Sequence, residues 1–192
     1  MKKMSGRDTN PSMTTSAQRD GLALGLYWMV TMGMFICQFA VPVCGLIWSF
    51  MMLYTPFFVG GFTTRYALRE RSGQLSYAGA YFYSLITYIC GALILSLAFW
   101  IYLRYMDDGY VIDRYTSVLT DPRNQEIIKG LGYDESTMKQ AIDQATTALP
   151  SMRPIDITLQ FLWSTLVASG LISLISALHC KAVLYFRRRN ER

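Results

Sequence analysis

Charge is what this chain mostly goes without. Only 16% of its 192 residues are Asp, Glu, Lys or Arg, and none of these lies from Gly21 to Thr64 or between Arg71 and Arg104. Runs so free of charge hold no proton relay, gating charge or buried counter-ion, which counts against an ion-coupled transporter. Histidine occurs once, as His179 beside Cys180. A metal site needs several ligands at one depth, so His179 is expected to be an interfacial side chain with no ligand role. The four cysteines, Cys37, Cys44, Cys90 and Cys180, fall in or at the edge of apolar runs and form no CxxC pair. That excludes a disulfide framework and leaves them as small apolar residues. GxSxG, P-loop, GxGxxG and HExxH patterns are all missing, so neither a nucleophile elbow nor a phosphate-cradling loop is present, and no cofactor is expected. Asp107, Asp108 and Asp113 are the only acids that suggest a cation or catalytic site. Their spacing misses the calcium-loop pattern and reads as a hydrated turn at a helix end.

What the chain has instead is long apolar runs, with 52% hydrophobic residues. Gln74 to Leu103 would make a helix of roughly 45 Å against a hydrocarbon core of roughly 30 Å. Leu85, Ile89, Leu93, Leu97 and their neighbours leave no polar face for water, so lipid is the expected solvent. Tyr77, Tyr81 and Tyr83 mark one interface, and Trp100, Tyr102 and Tyr105 the other. Gly21 to Thr64, as one helix of about 65 Å, is twice what a bilayer needs. It breaks at Val41-Pro42-Val43 into a tight hairpin, with Gln38 near an interface. Pro56 with Gly60-Gly61 is expected to bend the second span.

The expected fold is all-α: four transmembrane helices near 21–40, 43–62, 77–103 and 157–180, with a helical insert over 104–156 outside the cytoplasm. Residues 1–20, rich in Ser, Thr, Gly and Asn, read as a disordered cytoplasmic tail, and residues 184–192 as a basic one. Arg65, Arg69 and Arg71 form the loop before the third span, turning at Ser72-Gly73. In the insert, Asp121-Pro122 starts a short helix that Gly130 ends. Asp134 caps a second from Glu135 to Ala148, with Tyr133 and Met138 as a hydrophobic staple, Glu135 to Lys139 as an ion pair, and a stripe of Met138, Ile142, Ala145 and Leu149.

Four spans put both termini on one side. That side carries twelve basic residues against six in the insert, so positive-inside logic places the termini in the cytoplasm. The net charge of +5 thus reads as topology signals, not as a nucleic-acid surface. Arg187, Arg188 and Arg189 are candidates for anionic lipid headgroups. Gly21 and Gly25 have GxxxG spacing. Thr165, Ser169, Ser173 and Ser176 recur on one helical face, as in a helix packed on other membrane helices. Such hydroxyls would otherwise line a conduit or bond to their own preceding turn.

Arg65-Tyr66, the stretch Ser72-Gly73-Gln74-Leu75-Ser76-Tyr77 and the aromatic-rich span ending in Tyr102 carry a resemblance. From Gly21 to Lys181 the chain resembles domain of unknown function family 4199, small four-helix bacterial inner-membrane proteins. Many members have a proline soon after the third span, where this chain has Asp107-Asp108-Gly109. The resemblance implies architecture and brings no activity. The functional expectation is therefore a non-catalytic accessory, assembly or envelope protein. Its partners are the lipid bilayer and, through helix–helix contacts, other membrane proteins or itself. The alternative is a small transporter or channel, as a monomer or an oligomer, working through the hydroxyl face and the Pro56 break.

Overall fold

The computed structural model describes residues 12–130, 134–143, 146–147 and 151–190. These are all-α: α1 (Met13–Cys37), α2 (Pro42–Glu70), α3 (Tyr77–Tyr105), α4 (Tyr110–Thr120), α5 (Pro122–Gly130), α6 (Glu135–Asp143) and α7 (Pro154–Asn190). Four of them, α1, α2, α3 and α7, are long and apolar enough to cross a membrane. The protein is a membrane protein by that criterion.

Helix ends follow local chemistry more than the limits of the apolar runs. α1 begins eight residues before Gly21, because the Ser12 side chain accepts the Thr15 N–H (3.2 Å) and Ala17 is buried in the bundle. Arg19 and Asp20 therefore sit on a helix, within what the sequence reads as a tail. Residues 1–11 lie outside the described set. α1 stops at Cys37, and Pro42 opens α2 at its first turn, where a missing N–H is harmless. α2 runs through Arg65 and Arg69 to Glu70, so the expected basic loop shrinks to 71–76. Ser72 (φ 47°) and Gly73 (φ 74°) turn the chain, with Gly73 N–H closing on the Ala67 carbonyl (2.8 Å). Ser76 then caps α3 through the Gly79 N–H (3.0 Å).

The insert differs most from expectation. The turn at Asp107-Asp108-Gly109 starts a helix, α4, that the sequence reading lacks. Asp107 is buried and its Oδ1 accepts the Val111 N–H (3.1 Å), while Gly109 takes the left-handed conformation (φ 86°). α5 follows Asp121, whose carboxylate accepts the Arg123 N–H (2.9 Å), and ends at Gly130 as expected. α6 starts at Glu135 as expected. Tyr133, Ala145 and Leu149, and the side chains of Glu135 and Met138, lie outside the described residues.

The spanning helices form a ring in the order α1, α3, α7, α2, with α1 and α7 diagonal to each other and α2 and α3 meeting only slightly. Chain neighbours α1/α2 and α3/α7 run antiparallel, so each hairpin is one side of the ring. At the end that carries Met13 and Asn190, here the terminal end, Ala17, Tyr66, Ala80, Tyr83, Ala177 and Cys180 make a closed core. Leu24, Trp28, Val59, Tyr88, Ala92 and Leu95 continue it to mid-bundle. Beyond them, toward the insert, Phe35 meets Trp48 (5.5 Å between centroids) and Phe99 meets Phe161 (5.0 Å), holding α1 to α2 and α3 to α7.

Candidate functional site: a hydroxyl hub and an apolar cavity

Mid-bundle, hydroxyls link three helices at one point. Ser176 Oγ on α7 donates to the Pro56 carbonyl of α2 (2.9 Å) and shares a hydrogen bond with Tyr88 Oη of α3 (3.0 Å). Thr63 and Ser84 (Oγ1 to Oγ 2.9 Å) join α2 to α3 across the diagonal. Buried hydroxyls without such partners would be costly in a membrane interior, and these are mutually satisfied. The rest of the α7 face bonds to its own helix: Thr165 to Phe161 O (2.8 Å), Ser169 to Thr165 O (2.7 Å) and Ser173 to Ser169 O (2.7 Å). Ser169, Ser173 and Ser176 are all buried.

Gly21 and Gly25 lie where α1 crosses α3. A Cβ on Gly21 would come within 2.5 Å of Cys90 Cβ, and one on Gly25 within 2.8 Å of Ile94. Gly60 does the same for α2 and α7: its face is covered by His179, whose Cδ2 would be 2.6 Å from an added Cβ. The His179 ring also meets Phe57 edge-on, with centroids 5.4 Å apart. It is a packing residue, and among the described residues no three His, Cys, Asp or Glu side chains gather as a metal site would need.

At the terminal end, Tyr83 Oη donates to Asp20 Oδ2 (2.5 Å), tying α3 to α1, and its ring stacks on Tyr66 of α2 (4.4 Å). The sequence marks Tyr83 as an interface aromatic but not its pairing with Asp20. The only signal is that a lone acid directly precedes an uncharged run. Of the basic tail, Arg188 donates to the Gly73 carbonyl (2.6 Å) and Lys181 to Leu75 O, so α7 grips the α2–α3 loop. Arg189 is exposed.

At the insert end lies a cavity of about 380 Å³. α1 contributes Trp28, Thr31, Met32 and Phe35 to its wall, and α2 contributes Trp48 and Met52. Leu95 and Phe99 of α3 and Ile157 and Phe161 of α7 close the far side. α4 covers it with Val111, Ile112 and Tyr115. The one threonine there is spoken for, since Thr31 Oγ1 donates to Tyr27 O (2.9 Å). Trp28 Nε1 is buried and has no hydrogen-bond partner among the described residues. None of these wall residues follows from a sequence motif. They converge because α1, α2, α3 and α7 all reach this end of the bundle and α4 lies over them.

The family described as Protein of unknown function (DUF4199) matches residues 19–182. The chain belongs to the DUF4199 family. That match runs from the Asp20 anchor in α1 to just past Cys180 in α7, so the hub, the glycine contacts and the cavity all lie within the DUF4199 region. It also agrees with the resemblance carried by Arg65-Tyr66 and Ser72 to Tyr77. No curated protein and no solved structure matches this DUF4199 chain.

Proposed function

We propose that this protein is a non-catalytic accessory or assembly component of the bacterial inner membrane. Both termini face the cytoplasm, and it acts by packing its spans against other membrane proteins or a second copy of itself. One observation carries this reading: among the described residues most buried polar side-chain groups of the bundle are bonded internally, Trp28 Nε1 and Ser96 Oγ excepted, while its outward faces offer mainly apolar side chains. Ser169 and Ser173 are buried and bonded within α7, so a conduit along that helix finds no free hydroxyls. Outward, α2 presents Leu46, Phe50 and Leu53, and α7 presents Trp163, Val167 and Leu171, all exposed from the chain's own fold. Such faces recognise lipid or other helices by shape and dispersion, not by chemistry. Of the insert acids, Asp107 is spent on the α4 backbone. The twelve-to-six division of basic residues supports the orientation.

Two experiments test the proposal. Crosslinking in native membranes followed by purification in mild detergent should recover repeated partners or a dimer through α2 or α7. Recovery of a lone monomer every time argues against it. For orientation, an impermeant thiol reagent applied to intact spheroplasts should label Ser136→Cys and spare Ser5→Cys. The opposite pattern inverts the topology.

A further inference from the structure

The insert-end cavity has a property that packing against partners does not use. Its volume of about 380 Å³ falls in the range of ligand pockets, roughly 300–1,000 Å³. It is also more than twice the ~150 Å³ apolar cavity that is known to stay dry and take up benzene. The space is open on one side, so it is filled by whatever its surroundings supply that suits an apolar wall.

Water is a poor occupant. A buried water needs two to four polar partners. Thr31 is almost fully buried with its hydroxyl committed to Tyr27 O, and the Trp28 N–H is out of reach of a water-sized sphere. Most of the remaining wall is hydrocarbon, thioether or aromatic carbon, and no charged side chain lines it. An ion or sugar would find no counter-charge and few hydrogen bonds.

Position selects among apolar occupants. On α1 the wall runs from Trp28 to Phe35, two turns or about 10 Å of a spanning helix. Met52, 47% exposed on the flank of α2, and Tyr115, 44% exposed on α4, form its rim. A chain that enters beside Met52 comes from the bilayer, where acyl chains are the solvent. α4 then closes the cavity from the interface, with its Val111 and Ile112 inward and Asp113 and Arg114 exposed.

We infer that this cavity is a binding site for one acyl chain, admitted from the bilayer beside Met52 and roofed by α4. The inference stands apart from the helix-contact reading, because a partner on the outer faces of α2 and α7 neither requires nor fills the cavity.

The test uses the full-length protein in phospholipid vesicles doped with either a phosphatidylethanolamine carrying a mid-chain diazirine or a diazirine fatty acid. Crosslinked positions are mapped by peptide mass spectrometry. The expected result is stronger labelling at Met52 and Phe161 than at the outward-facing Leu171. Val111→Trp, which fills the cavity from α4, should lower the Met52 and Phe161 signal at least fivefold and leave Leu171 unchanged. Labelling by the first probe assigns the chain to a bilayer phospholipid, and labelling by the second alone assigns it to a free fatty acid. Ile157→Phe fills the same space from α7 and serves if Val111→Trp does not fold. Labelling no stronger than at Leu171, or unchanged by a folded cavity-filling variant, overturns the inference.

Discussion

Ser176 and Ser173 sit one turn apart on the same face of α7, and sequence spacing treats them as equals. Their surroundings do not. Ser176→Ala strips a donor from the Pro56 carbonyl and a partner from Tyr88, so it should lower bundle stability by about 1 kcal/mol. Ser173→Ala removes only a bond to its own preceding turn and should change stability by less than about 0.5 kcal/mol. Paired denaturation curves in detergent check both. Equal effects would mean that Ser176 is no hub. Gly21 poses a steric question: a Cβ 2.5 Å from that of Cys90 forces α1 away from α3. Gly21→Val should therefore cost about 1–3 kcal/mol, as overpacked sites do, while Gly33→Val, with open space around it, should be nearly neutral.

Helix ends show where reading apolar runs falls short. A spanning segment is recognised by the absence of charge, yet a helix stops where its backbone groups find other partners. α1 gains eight residues from the Ser12 cap, and α2 carries Arg65 and Arg69 past the end of its apolar run. Ser12→Ala should fray that first turn, with a loss of about 1 kcal/mol that appears as faster amide exchange at residues 13–16 and no change beyond mid-helix. α4 was illegible for a related reason. Asp107-Asp108-Gly109 reads as a hydrated turn until one sees the Asp107 carboxylate turned back onto the Val111 N–H, which makes the same residues a helix start. Pro42 was legible, because a proline at the break of a doubly long apolar run can open a helix but not continue one.

Among the described residues the molecule is a ring of four helices with a helical insert. Among the described residues α5 and α6 make their main contacts with α4 and not with the spanning helices. Replacing residues 122–150 by a flexible linker should therefore shift the unfolding free energy of the bundle by no more than about 0.5 kcal/mol. Deleting α4 as well should open the cavity, measurable as altered diazirine labelling at Phe99. A large loss of stability from the shorter deletion would show that the insert holds the bundle together.

Four long apolar helices and the family were readable from residue order, because crossing hydrocarbon imposes a local demand. Each segment must exclude charge over a bilayer's thickness whatever its neighbours do. Which faces meet is not a local matter. That Tyr83 reaches Asp20, that Ser176 bridges to Pro56 and Tyr88, and that thirteen side chains from five helices line a cavity depend on the ring order. The hydroxyl stripe of α7 marks which of its faces is buried but not which helix it meets, since lipid and protein interior favour largely the same residues. Only the packing of the helices distinguishes one from the other.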